Sequence, residues 1–158
     1  MSSKSTSVII GKLGQDEKGL FYDYFVRVTL GEINVEGTMS HDQFAKLFGK
    51  ARELFALEGI PEFTKEMGRT FLLQTRSASY EFKKNFYFGD IIIVRVRILQ
   101  VKNSSFEIGA EFIDAQTKEI RATGRQTIVY TNLKGLPLRI PDAFRVVLSR
   151  ALEGKFST

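Results

Sequence analysis

The sequence lacks several residue types on which whole classes of chemistry depend. It contains no cysteine and no tryptophan, and it has a single histidine among 158 residues. Disulfide frameworks, thiolate zinc sites and cysteine nucleophiles are therefore excluded. One chain also cannot build a metal site from several histidines. The sequence predicts no metal site and no cofactor.

The charge balance is basic, but the charge is not concentrated. Lysine and arginine number 23 against 18 acidic residues, which gives a formal charge of +5. A basic surface favours an anionic partner, and nucleic acid, an acyl-CoA or an acidic carrier protein would each fit. The basic residues are spread along the chain without a run of five or more. A plainly solvated surface is therefore the alternative interpretation.

Long hydrophobic runs and phosphate-binding loops are also missing. No apolar run exceeds four residues, as in IIIV at 91–94, whereas a membrane-spanning helix needs about 20. The amino terminus has no apolar segment of the secretory type, so we expect a cytoplasmic protein without a membrane span. No GxGxxG, Walker A, GxSxG or RNP-type motif is present, and we expect no nucleic-acid partner.

A sharply delimited amphipathic helix is predicted after residue 40. Ser40 is a favoured N-cap, and Gln43 three residues later would complete a capping box. The helix should end near Glu58–Gly59, since Pro61 cannot continue it. Its apolar residues recur at helical spacing and form one stripe: Phe44, Leu47, Phe48, Ala51, Leu54 and Phe55.

The rest of the chain favours strands, with a second helix at its end. Residues 1–18 are predicted to be a polar leader with one short strand at 7–10, and residues 19–158 a single domain. One long helix against one antiparallel sheet is a two-layer α+β architecture. The predicted strands are Phe21–Leu30, Thr70–Phe82, Ile91–Val101, Phe106–Asp114 and Glu119–Thr131, and the terminal helix is Pro141–Gly154.

This order of elements, with several short motifs, resembles the hotdog fold and, within it, the 4-hydroxybenzoyl-CoA thioesterase-like group. The resemblance implies a long central helix wrapped by an antiparallel sheet of five or more strands, a short carboxy-terminal helix, thioesterase activity, and a homodimer or homotetramer. The motifs that carry it are Asn34, Gly37, Ser40–His41, Ala51–Arg52–Glu53, Tyr87–Asp90 and Leu136–Pro141.

Two positions narrow the resemblance. Many bacterial acyl-CoA thioesterases of the group have Asp where this chain has Asn34, and several have an acidic residue where it has Gly49. Asn34, Gly49 and Arg52–Glu53 are closest to the acyl-carrier-protein thioesterases of enediyne polyketide synthesis, which act without a catalytic carboxylate. The resemblance thus implies an acyl-CoA or acyl-carrier-protein substrate, cleaved to a carboxylic acid or its decarboxylated product. Ser40–His41 and Phe44 depart from that subgroup, which usually has Tyr–Tyr or Tyr–His before the helix and a further Tyr one turn into it.

Three residues are the candidate catalytic groups. The Asn34 amide can donate to a thioester oxygen or orient water; alternatively it only satisfies its own turn. His41 at the helix start can take a proton from water, or it is an exposed residue without a task. Arg52 can bind a carboxylate or pantetheine, pair with Glu53 or reach the Asn34 turn. An ordinary structural ion pair is its alternative.

Four residues are candidates for substrate binding at the same site: Gly37, Ser40, Phe44 and Glu53. Gly37 would permit a turn conformation and a close approach. The helix-start amides near Ser40 would stabilise an oxyanion. Phe44 would line an acyl pocket or pack in the core, and Glu53 would act as a displaced base or stay solvated. A catalytically silent hotdog module that binds acyl groups or partners is the alternative function, and a hotdog dehydratase a third.

Overall fold

One six-stranded antiparallel sheet and one long helix make up most of the protein. The computed structural model describes residues 10–153, and the strands lie in the sheet in the order β1-β2-β4-β5-β6-β3. The strands are β1 (Gly11–Asp16), β2 (Gly19–Arg27), β3 (Leu72–Phe82), β4 (Ile91–Val101), β5 (Ser105–Asp114) and β6 (Ile120–Thr131). The α-helices are α1 (His41–Gly59), α2 (Pro61–Glu66) and α3 (Asp142–Glu153). The predicted α+β architecture is confirmed.

The core lies between α1 and the inner face of the sheet. The apolar stripe of α1 is buried there, from Phe44 through Phe48 and Ala51 to Phe55. Alternate residues of the central strands meet it, because side chains of a strand point to opposite faces in turn. The inward residues of β4 and β5 are Ile92, Val94, Val96, Ile98, Phe106, Ile108, Ala110 and Phe112.

The first strand was not predicted from the sequence. Residues 11–16 were assigned to the polar leader, but they pair with β2 over their whole length. The strand predicted at 7–10 lies, apart from Ile10, outside the described residues. Asp16 joins β1 to β4 through two hydrogen bonds from Arg97, with Nη1–Oδ1 2.8 Å and Nη2–Oδ2 3.1 Å. The polar strand β1, which contains two glycines, is thus held in the sheet by an ion pair between residues that are far apart in the sequence.

The turn after α1 begins a further helix. Pro61 ends α1, as predicted, and then occupies the first turn of α2, where a missing N–H costs nothing. Ile60 between the two helices is buried, with 8% of its surface exposed. Short α2 therefore lies against α1 at the end away from His41.

Strand β3 forms one edge of the sheet. It pairs with β6 on one side only, and most of its eleven residues are exposed. A bulge interrupts the pairing between Thr75 and Ser77. The edge runs past α1, so that the end of β3 lies near the start of the helix and the beginning of β3 lies further along it.

Candidate active site

The loop before α1 presents the side chain of Asn34 in a tight turn. Its Oδ1 accepts hydrogen bonds from the backbone N–H of Glu36 (2.9 Å) and of Thr38 (3.2 Å). The backbone closes the same turn, because Asn34 N–H donates to the Thr38 carbonyl at 2.8 Å. The oxygen is thus used by the turn. In the part of the chain that the structure describes, no acceptor binds the exposed amide nitrogen, Nδ2.

Gly37 supplies the conformation that this turn needs. Its φ is +85°, in the left-handed region that glycine adopts readily. A Cβ at this position would have no heavy atom within 4 Å, apart from the glycine's own neighbours. The positive φ agrees with the predicted turn conformation, whereas no described group makes the predicted close approach, and the space beside the turn is open.

The amides of the first turn of α1 have no side-chain cap. Ser40 stands at the N-cap position, as predicted, but the predicted capping box is wrong. The Ser40 hydroxyl donates instead to the carbonyl of Glu32 at 3.3 Å, which also accepts the Ser40 N–H at 3.0 Å. These bonds tie the helix start to the beginning of the loop. The Gln43 N–H donates to the Ser40 carbonyl at 3.1 Å, so among the described residues the N–H groups of His41 and Asp42 are the ones left available to an anion.

His41 is exposed and held by aromatic rings. Its imidazole stacks on Phe82 at the end of β3, with ring centroids 3.9 Å apart, and meets the edge of Phe44 at 6.3 Å. Phe44 itself is 2% exposed and packs on Phe112, so the structure places it in the core below the imidazole. Among the described residues no carboxylate forms an ion pair with His41.

Arg52 lies at a different place on α1. It follows His41 by eleven residues, which is about 16 Å along a helix. Its Nη1 donates to Gln126 Oε1 and, at 3.2 Å, to Thr75 Oγ1. Glu53 is exposed and does not pair with it, and no carboxylate of the described residues forms a salt bridge with Arg52. Neutral acceptors thus orient the guanidinium, and no carboxylate of the described residues offsets its positive charge.

A cavity of about 210 Å³ opens beside Arg52, between α1, α2 and the sheet. Its rim is polar, with Arg52, Glu53 and Thr75. Its walls are apolar and are formed by Phe55, Ala56, Ile60, Met67, Leu73, Ile98, Phe106, Ile108 and Ile128.

Within one chain the predicted residues therefore form two groups. Asn34, Gly37, Ser40 and His41 lie at the start of α1, whereas Arg52 and Glu53 lie at the rim of the cavity. Gln126, which orients Arg52, was not predicted. Its signal in the sequence is a polar residue at an inward position of β6: it is 5% exposed, and its neighbours on that face include Ala122 and Ile128.

No group of three or more acidic or histidine side chains in residues 10–153 is placed to hold a metal ion. None of the helices described is long and apolar enough to cross a membrane.

Comparison with known proteins gives the family and the fold. The profile of the thioesterase-like superfamily matches residues 28–148. No curated protein matches the chain. Among solved structures, the dynemicin thioesterase, described with polyene binding, is 21% identical with a TM-score of 0.76, covering 83% of this chain and 96% of its own.

Two further solved structures are similar. The 1,4-dihydroxy-2-naphthoyl-CoA thioesterase from Synechocystis is 19% identical with a TM-score of 0.71 and covers 82% of this chain and 96% of its own. A gentisyl-coenzyme A thioesterase is 23% identical with a TM-score of 0.69 and covers 80% and 98%. The hotdog fold predicted from the sequence is confirmed.

Proposed function

We propose that this chain, which belongs to the thioesterase-like superfamily, hydrolyses a thioester of an organic acid in the cytoplasm. The leaving group is CoA or the pantetheine thiol of an acyl carrier protein. The product is the carboxylic acid, or its decarboxylated derivative if the acid carries a 3-oxo group. The observation that carries the proposal is the amide nitrogen of Asn34, which no acceptor in residues 10–153 binds, in the loop that leads into the start of α1, where Ser40 makes no side-chain cap.

In the proposed reaction the carbonyl oxygen accepts hydrogen bonds from Asn34 Nδ2 and from the backbone N–H groups of His41 and Asp42 at the start of α1. Donors fixed before the reaction stabilise the charge that develops on this oxygen, and removal of one such donor in other hydrolases costs roughly 10²–10³ in rate. Gly37 leaves room for the substrate beside the turn. No carboxylate is needed for this step.

His41 activates water. Its imidazole takes a proton as water adds to the carbonyl carbon, and it returns the proton to sulfur as the C–S bond breaks. The stack on Phe82 holds the ring in one plane and leaves its nitrogens at the edge. The products are an acid and a thiol, so the atoms balance with one water consumed.

Arg52 acts across a homodimer. His41 contacts Phe82 at one end of β3, and Arg52 contacts Thr75 near the other end. If β3 pairs antiparallel with β3 of a second copy about a two-fold axis between Ala78 and Ser79, Thr75 faces the partner's Phe82. Arg52 and its cavity then lie beside the partner's helix start. The exposed, one-sided edge of β3 supports this pairing, and two such dimers would make a homotetramer.

The more specific part of the proposal is that the substrate is a polyketide-type thioester of an acyl carrier protein. Asn34, Gly49 and Arg52 match the pattern of the enediyne group in the sequence. The similarity in fold to the dynemicin thioesterase is consistent with that pattern. The basic charge of the chain suits either CoA or an acidic carrier.

The first experiment measures thiol release from a panel of acyl-CoA and acyl-carrier-protein thioesters. We expect turnover that follows Michaelis–Menten kinetics on part of the panel. Release at the background rate on every substrate, with measurable binding of the same thioesters, would establish the silent acyl-binding module instead.

A second experiment tests the shared site. Asn34→Ala and Arg52→Met are each expected to be nearly inactive as homodimers. When the two variants are co-expressed and mix randomly, half the dimers hold one intact pair of residues, so activity should return to roughly a quarter of the wild-type value. No recovery in verified heterodimers would show that Arg52 does not act across the interface.

A further inference from the structure

We infer that the acyl group of the substrate is short: one aromatic ring, or an aliphatic chain of about eight carbons or fewer. The inference rests on the proposed function and names the class of its substrate; within the polyketide part of that proposal it selects a short acyl chain and not a long polyene. It comes from the size and the lining of the cavity beside Arg52.

The cavity is polar at its rim and apolar at its deeper end. Arg52, Glu53 and Thr75 form the rim, and inward residues of the sheet such as Ile108 and Ile128 form the wall opposite α1. A carbonyl or carboxylate oxygen is therefore accommodated at the rim, where Arg52 keeps an unneutralised charge. An apolar tail is accommodated inside, because no polar group of the deeper lining would need a partner there.

The volume limits the length of that tail. An apolar cavity of about 150 Å³ is sufficient to hold one benzene molecule. By that proportion the 210 Å³ present here holds one ring with a small substituent, or about eight aliphatic carbons. Protein interiors are close-packed, so a longer chain would either displace core side chains or leave carbons outside the cavity.

The cavity ends at the junction between α1 and α2. Pro61 turns the chain into α2 directly after α1, and both Ile60 and Met67, on either side of α2, line the cavity. Phe55 and Phe106 are each 3% exposed and form part of the wall. Met67 is 37% exposed, so the further carbons of a longer acyl chain would lie in solvent and gain no burial there.

A larger hollow of about 570 Å³ on the opposite face of the sheet does not suit an apolar chain. Arg95 and Arg97 lie across it with Asp23 and Asp16 as their partners. An alkyl tail would desolvate these ion pairs without replacing their hydrogen bonds. The apolar cavity beside Arg52 is therefore the one that the proposal uses.

The test compares thioesters that differ only in length. Hydrolysis is measured for butyryl-, octanoyl-, lauroyl-, palmitoyl- and benzoyl-CoA, and binding is measured separately with the non-hydrolysable thioethers octyl-CoA and hexadecyl-CoA. We expect kcat/KM to be highest at eight carbons or fewer, or with benzoyl, and at least tenfold lower for palmitoyl-CoA. We expect octyl-CoA to bind more tightly than hexadecyl-CoA.

A matched pair of variants locates the limit. Ala56→Leu adds three carbons to the cavity wall, whereas Ala45→Leu adds the same carbons to the exposed side of the same helix. Ala56→Leu should shift the preference to chains about two to four carbons shorter, and Ala45→Leu should leave it unchanged. If Ala56→Leu does not fold, the chain-length series measured with the wild-type protein decides whether the size limit holds.

The outcomes separate the two claims. A kcat/KM that rises through palmitoyl-CoA, or tighter binding of hexadecyl-CoA, would overturn the inference while thioester hydrolysis stands. An absence of hydrolysis with preferential binding of octyl-CoA would overturn the proposed function and support the size limit.

Discussion

The imidazole of His41 lies flat on the ring of Phe82, with centroids 3.9 Å apart and planes 2° from parallel. His41 begins α1 and Phe82 ends β3, so this one contact joins the helix start to the edge of the sheet. Phe44 meets both rings from below, at 6.3 and 4.9 Å. The proposed base is therefore positioned by packing against rings, and no carboxylate of the described part of the chain pairs with it.

Phe82→Leu should separate this positioning from binding. The variant keeps apolar volume but removes the stack, which is worth about 0.5–1.5 kcal/mol in aromatic pairs. We expect kcat to fall roughly three- to tenfold with KM nearly unchanged, measured on the best thioester of the panel. Phe88→Leu is the control, since Phe88 is 60% exposed and does not contact His41. An unchanged kcat in folded Phe82→Leu would show that the stack has no role in turnover.

Asn34→Asp should test the amide donor without breaking the turn. The new carboxylate still accepts the N–H groups of Glu36 and Thr38 but lacks Nδ2. We expect kcat to fall roughly 10²–10³-fold with unfolding free energy nearly unchanged. A rate equal to or above wild type would mean that a carboxylate serves as base at this position and that the amide is not the essential donor.

The chain contains a matched control for that variant. Asn132 builds the same turn: its Oδ1 accepts the N–H of Lys134 (2.8 Å) and of Leu136 (3.0 Å), and Gly135 has a φ of +87°. This second turn follows β6 and does not lead into α1. Asn132→Asp should therefore leave kcat unchanged, and calorimetry of both variants gives the cost of the turn alone.

Gly49→Glu should inactivate the protein without destabilising it. A Cβ on Gly49 would lie 3.9 Å from Arg52 Nη2 and within 4 Å of no other group outside the local helix backbone, so a carboxylate here can pair with the guanidinium. Gly49→Ala, the control, fills no needed space and should raise stability by about 0.5–1 kcal/mol. We expect kcat/KM to fall at least tenfold in Gly49→Glu only. Equal activity in both variants would show that the charge of Arg52 is not used.

The ion pair of Asp16 and Arg97 should make β1 sensitive to acid. The hydrogen bonds from Arg97 hold the pKa of Asp16 below its ordinary value, despite the opposing effect of burial. The pKa is lower in the folded state, so the stabilisation is present above about pH 4 and is lost as pH falls through the lowered pKa. Asp16→Asn should cost about 1–2 kcal/mol at pH 7, and the difference should shrink below pH 4 in urea titrations.

Asp142→Asn is the control for the acid experiment. Its partner Arg139 and Asp142 itself are 57% and 82% exposed, and exposed pairs contribute about 0–1 kcal/mol. We expect a loss of about 0.5 kcal/mol or less at pH 7. If Asp16→Asn costs no more than this control, the pair does not hold β1 in the sheet.

Local patterns predicted most of the fold. β4 begins and ends where its run of branched apolar residues does, at Ile91 and Val101, and α1 begins after Ser40 and ends at Gly59 as expected. β1 was missed because its residues GKLGQD carry no strand pattern. Its place in the sheet depends on pairing with β2 and on Arg97, which stands 81 positions from Asp16 in the chain.

The grouping of the candidate site residues could not be predicted from the sequence. The sequence places Asn34 just before α1 and His41 and Arg52 on it. It does not show that the Arg52 side chain donates a hydrogen bond to Gln126, 74 positions away. The Ser40 capping box failed for a similar reason, since the Glu32 carbonyl accepts the Ser40 N–H that the Gln43 side chain would bind in such a box. Sequence patterns report local preference, and tertiary partners decide between equally good local choices.

The open side of β3 has a consequence for handling the protein. Alternate residues of its eleven expose backbone donors and acceptors on one side, and such a ladder accepts any extended chain. A protomer whose β3 edge stays uncovered is therefore open to edge-to-edge aggregation. Storage lifetime should be longer for any assembly that covers this edge.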